Sequence, residues 1–196
     1  MTRAPRVPKA EIKGLSGWLL QRLSRRHLGA VPEAAGVLWH HRPVLFDSMR
    51  FGRKVERWDR LDRSLKTYAH MAVASLVGCS WCLDFSYFKV HHEGLDLAKA
   101  SQVPRWRESD VFTPLERDVM AYAEAMSETP PSVSDELSAR LLEQLGAPAL
   151  LELTSVVGFA NSSTRSNVAL GIESQGFSAA CGVPLASRSA ASPAAA

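Results

Sequence analysis

Cysteine is scarce in this 196-residue chain: there are three, two of them only three positions apart. That is too few, and too clustered, for a disulfide framework that staples a small secreted fold. No uninterrupted apolar run approaches the roughly 18 residues that mark a membrane-spanning helix. The glycine fingerprints that cradle nucleotides are missing, and no cofactor is expected. No segment alternates apolar and polar residues between hairpin turns, which excludes a sheet. The opening Met1 to Ala10 is basic and proline-rich with no apolar segment behind it, unlike a secretory leader. A soluble, cytoplasmic protein is expected.

What is present suits a packed domain. Hydrophobic residues make up 46 %, and 23 Lys+Arg against 20 Asp+Glu leave a net charge of +3. The length fits a single domain with a substantial core. The charge is uneven: the first 63 residues hold 14 basic and 6 acidic side chains, the remainder 9 and 14. A basic region invites a nucleic-acid reading. However, Arg53, Lys54, Arg57, Arg60 and Arg63 recur at helical spacing among Glu56, Asp59 and Asp62, the pattern of a solvated helix face, so nucleic acid is not the expected partner.

The periodicity predicts an all-α fold, a bundle of seven or eight helices. Ile12, Leu15, Leu19, Leu20 and Leu23 share one helical face, ended by Gly29 and Pro32, and a short connector follows around His40 to Pro43. From about Asp59 a long helix runs through Leu61, Leu65, Tyr68, Ala72 and Leu76 to a stop at Gly78. A second helix starts at once, near Ser80, and continues to Gly94. Thr113-Pro114-Leu115-Glu116 has the capping-box form, with proline at the first helical position. Ser134 to Leu145 forms an amphipathic helix closed by Gly146, and Pro148 opens a last one to about Leu170. Three regions are expected: a basic N-terminal helical extension over 1–34, a helical domain over 35–178, and a low-complexity, disordered tail over 179–196.

One constellation demands chemistry. Cys79-Ser80-Trp81-Cys82 falls at a predicted helix start, where free backbone N–H groups and the helix dipole stabilise a thiolate. The two intervening residues allow a disulfide to close across the first turn, giving a reversible dithiol couple. A zinc site lacks a second ligand pair, because His91 and His92 lie about two and a half turns beyond Cys82. Burial of both cysteines as small apolar residues is the plainer alternative, and Cys181 reads as a bystander. Asp84 reads as a surface or helix-start charge pointing away from the pair, Tyr87 and Phe88 as core. Asn161 and Arg165 share a face of the last helix and suit either an anion or a subunit interface.

Gly78 to Cys82 at a helix start, together with His41-Arg42-Pro43, Phe112 to Arg117, and Asn161, Arg165 and Asn167, resembles the alkylhydroperoxidase D-like/carboxymuconolactone decarboxylase superfamily over about residues 35–178. The resemblance implies an all-α subunit that assembles into trimers or hexamers. It further implies Cys82 as the peroxidatic sulfur, and Cys79, nearer the surface, as the resolving one, re-reduced by a dithiol partner. Redox members carry a glutamate twelve positions before the first cysteine and a histidine four after the second; here Thr67 and Ser86 stand there. His70, one turn after Thr67, is a candidate replacement base, with Ser86 relaying the proton. Thr67, Trp81, Asn161 and Arg165 are candidate substrate contacts. Three functions remain open: a thiol-dependent oxidoreductase that reduces hydroperoxides, a non-redox small-molecule enzyme such as a decarboxylase or isomerase, and a non-catalytic redox-sensing or assembly protein.

Overall fold

The computed structural model describes residues 4–181. Among these there are eight α-helices and three short 3-10 segments and no strand: α1 (Gly14–Leu28), α2 (Glu33–Leu38), α3 (Arg42–Arg57), α4 (Arg63–Val77), α5 (Ser80–His92), α6 (Leu97–Ala100), α7 (Pro114–Ser127) and α8 (Asp135–Leu170), with 3-10 turns at Trp39–His41, Val103–Glu108 and Phe177–Cys181. The chain is all-α. No helix among the described residues is long and apolar enough to cross a membrane.

α4 is the central helix. Ala69, Met71, Ala72, Val73 and Ala74 are all fully buried, so α4 is covered on every side. Its alanines let α7 and α8 approach closely, and each large side chain they enclose contributes roughly 1.5–3 kcal/mol. Local signals fix the ends. The Asp62 carboxylate accepts hydrogen bonds from the Ser64 and Leu65 backbone N–H groups and caps the start, which moves it from the expected Asp59 region to Arg63. Gly78, at φ 78°, supplies the left-handed residue that ends it and turns the chain directly into α5.

α7 opens on the expected capping box: Thr113 Oγ1 accepts from the Glu116 N–H, and the Glu116 carboxylate accepts from the Thr113 N–H. α8 is two helical halves joined at Gly146, whose φ of 74° and ψ of 163° interrupt the helix two residues before Pro148, a proline that has no N–H to carry the hydrogen-bond ladder across the break. The expected connector at His40 to Pro43 is only the 3-10 turn, and α3 starts at Arg42, with Pro43 in its first turn where the missing N–H costs nothing. α2 begins at Glu33, so the expected boundary after residue 34 falls inside a helix. Most of the predicted tail, residues 182–196, lies outside the described residues, as does the side chain of Cys181.

α1 differs from the rest. It buries only Gly17 and Ser24, while Leu15, Trp18, Leu19 and Leu23 stand 82 %, 57 %, 48 % and 45 % exposed. Its small residues rest on the body with Leu20 and Leu28 half-buried, and these four large apolar side chains face outward.

Candidate redox site

The turn between α4 and α5 builds the site. Both the Gly78 and the Cys79 backbone N–H groups donate to the Ala74 carbonyl, which closes α4 and sets Cys79 as the N-cap of α5. In that position the Cys79 sulfur accepts the Cys82 backbone N–H at 3.3 Å. A sulfur therefore occupies the place of a capping oxygen, at the positive end of a 13-residue helix. Cys79 and Cys82 are joined as a disulfide, their Cα atoms 5.3 Å apart.

The burial of the pair corrects one expectation. Cys79 is 0 % and Cys82 2 % exposed, so Cys79 is not the sulfur nearer the surface. The turn at Gly78 folds the chain inward, and Cys79 joins the core cluster that includes Ala74, Leu83 and Tyr87. Nor are the sulfurs enclosed by hydrocarbon alone. Asn167, buried on α8, points its Nδ2 at Cys82 Sγ, 3.5 Å away. A buried amide donor stabilises developing negative charge on sulfur. The sequence alone assigns Asn167 no role; its two-residue spacing from Arg165 does place it on the opposite face of α8, but nothing local says that this face meets the cysteines.

His70 and Ser86 are brought together: His70 Nδ1 lies 3.3 Å from Ser86 Oγ, and Ser86 is one turn beyond Cys82 on α5. Desolvation pushes the His70 pKa down to about 4, Lys89 adding to the shift and Glu56 opposing it. The imidazole is therefore neutral at pH 7 and free to accept a proton, but it holds one weakly. Taking a proton from a thiol of ordinary pKa, about 8.5, is uphill by about 4 to 5 pKa units. Thiol activation at this pair would therefore rest mainly on the helix terminus and Asn167 rather than on His70.

The remaining candidates are engaged elsewhere. Thr67 Oγ1 donates to the Arg63 carbonyl at 2.9 Å within α4. Trp81 stacks on Phe85 at 5.1 Å and donates its Nε1–H to Gln175 Oε1 at 3.2 Å. Asn161 Nδ2 donates to Ser127 Oγ at 2.7 Å, and the Arg165 guanidinium donates to Asn161 Oδ1 and the Ser127 carbonyl. This pair fastens α8 to the end of α7. Arg165 also lines a surface groove of about 500 Å³ with Leu76, Val77, Glu128, Thr129 and Val168. Among the described residues no three His, Cys, Asp or Glu side chains gather as a metal site.

Asp84 is the second correction. It is 0 % exposed rather than a surface charge. Two positions past Cys82, it faces the segment that returns after α8. Its Oδ2 accepts from Ser174 Oγ and from the backbone N–H groups of Gln175, Gly176 and Phe177 at 2.8–3.0 Å, and its Oδ1 accepts from the Ser178 N–H at 2.7 Å. Burial raises its pKa, but the hydrogen bonds from Ser178, Ser174 and Phe177 outweigh that and leave it below the usual carboxylate range. The reason it escaped prediction is that its partners lie some 90 residues away in sequence.

An all-helical chain with a Cys-x-x-Cys pair capping a helix beside the central one has the form of the alkylhydroperoxidase D-like class. The comparisons agree. Residues 45–125 match the carboxymuconolactone decarboxylase family. The uncharacterized protein YnjA of Escherichia coli strain K12 is 36 % identical over 165 residues, covering 83 % of this chain and 88 % of YnjA. The chain belongs to that family. Among solved structures, an uncharacterized peroxidase-related protein from Silicibacter sp. TM1040 superposes with a TM-score of 0.74 at 16 % identity, over 87 % of this chain and 91 % of that one. The debrominase Bmp8 superposes with a TM-score of 0.72 at 18 % identity, over 82 % and 87 %. At these identities the likeness is one of fold.

Proposed function

We propose that this protein is a thiol-dependent oxidoreductase that reduces hydroperoxides through its Cys79–Cys82 couple. The observation that carries this reading is the disulfide itself, formed at the N-terminus of α5 with Asn167 Nδ2 at Cys82 Sγ. In the cycle, the Cys82 thiolate attacks the terminal oxygen of the hydroperoxide; the O–O bond breaks, sulfur becomes a sulfenic acid, and the alkoxide leaves as an alcohol after protonation. Cys79 then attacks the Cys82 sulfenic sulfur, releasing water and closing the disulfide. A dithiol reductant opens it again by thiol–disulfide exchange, its own pair becoming the disulfide. Ser86, one turn beyond Cys82, and His70, 3.3 Å from it, form a minor proton path in this reading, because the imidazole holds a proton weakly.

A cytoplasmic setting fits a couple that a dithiol must keep reduced. Association into a homo-oligomer, a trimer or hexamer, is part of the same proposal, with the outward Leu15, Trp18, Leu19 and Leu23 of α1 as the surface to be covered. Thr67, Trp81, Asn161 and Arg165 are the proposed substrate contacts, each of which would exchange an internal hydrogen bond described above for one to the substrate.

The test is consumption of an alkyl hydroperoxide by the purified protein in the presence of dithiothreitol. Turnover above the dithiol background, lost in Cys82→Ser, is expected. Consumption no faster than background, or unchanged in Cys82→Ser, overturns the assignment. The rate of thiol alkylation against pH in wild type and His70→Ala tests the proton path, and superimposable profiles would remove His70 from it.

A further inference from the structure

The segment after α8 is bound to the two residues that separate the cysteines. The Ser174 backbone N–H donates to Ser80 Oγ at 3.2 Å, and Gln175 Oε1 accepts from Trp81 Nε1–H at 3.2 Å. Gln175 goes further: its Oε1 accepts the Glu33 N–H at 2.6 Å and its Nε2 donates to the Val31 carbonyl at 3.4 Å, so one side chain links the N-terminal region to the cysteine turn. Phe177 then packs its ring edge-on against Phe85 and Phe88, 6.0 Å from each. What holds this short segment in place is Asp84, through the five hydrogen bonds to Ser174–Ser178 described above.

The consequence follows from the geometry of exchange. A dithiol must bring its own sulfur into line with the S–S bond, on the sulfur it attacks. Both sulfurs are buried and their intervening residues are pinned, so the turn must loosen before either is reached.

We propose that Asp84 is a positioning residue for the Cys79–Cys82 couple, latching residues 174–178 as a clasp on Ser80 and Trp81 that withholds the disulfide from dithiol reductants until it opens. The proposal rests on the pair acting as a redox couple, but not on hydroperoxide being its substrate. When the clasp opens, a reductant thiolate attacks one sulfur of the pair and the S–S bond breaks, freeing the other as a thiolate. The second reductant thiol then resolves the mixed disulfide, two electrons passing from the dithiol to the cysteines.

The experiment measures the second-order rate of disulfide reduction by dithiothreitol in the full-length oxidised protein, by quenched alkylation and mass spectrometry, without any hydroperoxide. Wild type, Asp84→Asn, Asp84→Ala and Gln175→Ala are compared, with Leu141→Ala as a control that weakens the buried first half of α8, ahead of the break at Gly146. Asp84→Ala and Gln175→Ala are expected to react at least about tenfold faster, with Asp84→Asn intermediate because it keeps one acceptor oxygen. Leu141→Ala should lower the melting temperature and leave the rate near wild type. Equal rates in wild type and Gln175→Ala, or an equal acceleration in Leu141→Ala at matched melting temperature, overturn the clasp. Should Asp84→Ala fail to fold, Gln175→Ala decides alone, since it leaves the carboxylate in place. Absence of peroxide turnover with the rate differences present would refute the proposed activity and leave the clasp standing; turnover with equal rates would do the reverse.

Discussion

The neutral imidazole of His70 makes the stability of the fold depend on pH in a window of its own. Unfolded, this group titrates near 6.5; folded, desolvation and Lys89 bring it down to about 4. Between those values the unfolded chain binds a proton that the folded chain refuses, so protonation favours unfolding. The contribution is absent as a penalty above pH 6.5, grows as pH falls, and levels off below the folded value. At about pH 5 it should cost about 2 kcal/mol, and at about pH 4 about 3 kcal/mol. The carboxylates of Asp62 and Asp84, both held below their usual range, remain ionised at pH 5 and leave this window to His70. Urea unfolding of the oxidised protein, followed by circular dichroism at about pH 7.5 and about pH 5, measures it. Wild type should lose about 2 kcal/mol more than His70→Gln over that interval. An equal loss in both would show that His70 is charged, or solvated, in the folded protein.

Asn167→Leu should slow alkylation of the reduced pair by about tenfold at neutral pH through loss of the amide donor at Cys82, with secondary structure retained by circular dichroism; an unchanged rate would remove Asn167 from the site. Thr113→Ala deletes the side-chain half of the α7 capping box and should cost about 1 kcal/mol in urea unfolding, a value near zero meaning the cap is idle. Glu152 accepts the Arg60 N–H at 2.8 Å and pairs with Lys66 at 2.9 Å, both side chains largely buried. Glu152→Ala leaves the Lys66 ammonium without its counter-charge and should cost about 3 kcal/mol, against distinctly less for the pair's joint replacement by apolar residues; equal losses would show the pair to be well solvated. Below pH 4 a further, separate fall in stability is expected as Asp84 protonates, since a carboxylate with a depressed folded pKa loses its contribution as pH falls through that value; Asp84→Asn should lack it.

The elements that were legible in sequence are those whose signals are local. Gly78, Thr113 with Glu116, and Gly146 with Pro148 each mark a helix end within a turn of sequence, and the bundle follows from the apolar spacing between them; Asp62, one of several acidic residues in a charged stretch, does not stand out as the cap of α4. The site is half legible for the same reason. Cys79 caps α5 because of what immediately precedes it, and Ser86 meets His70 because two adjacent helices joined by a one-glycine turn are forced side by side. What a window of neighbouring residues cannot contain is Asn167, which reaches Cys82 from α8, or the five donors that converge on Asp84 from residues 174–178. Those contacts are products of tertiary packing.

Asp84 shows why this matters for the chemistry rather than for the fold alone. Its place two residues past the second cysteine predicts a side chain turned away from the sulfurs, and it is turned away. The error lay in equating that direction with solvent. On the far side of α5 lies the returning C-terminal segment, and an ionised carboxylate is tolerated there only because five donors meet it. A charge so placed is costly to leave unpaired, so the segment that supplies the donors is held firmly while Asp84 is ionised. The same segment reaches back over Ser80 and Trp81. The cysteine turn is thus supported from two sides by residues remote in sequence, Asn167 at the sulfur and Asp84 through the clasp. Reactivity at this pair depends on both supports as much as on the Cys-x-x-Cys spacing that announces it.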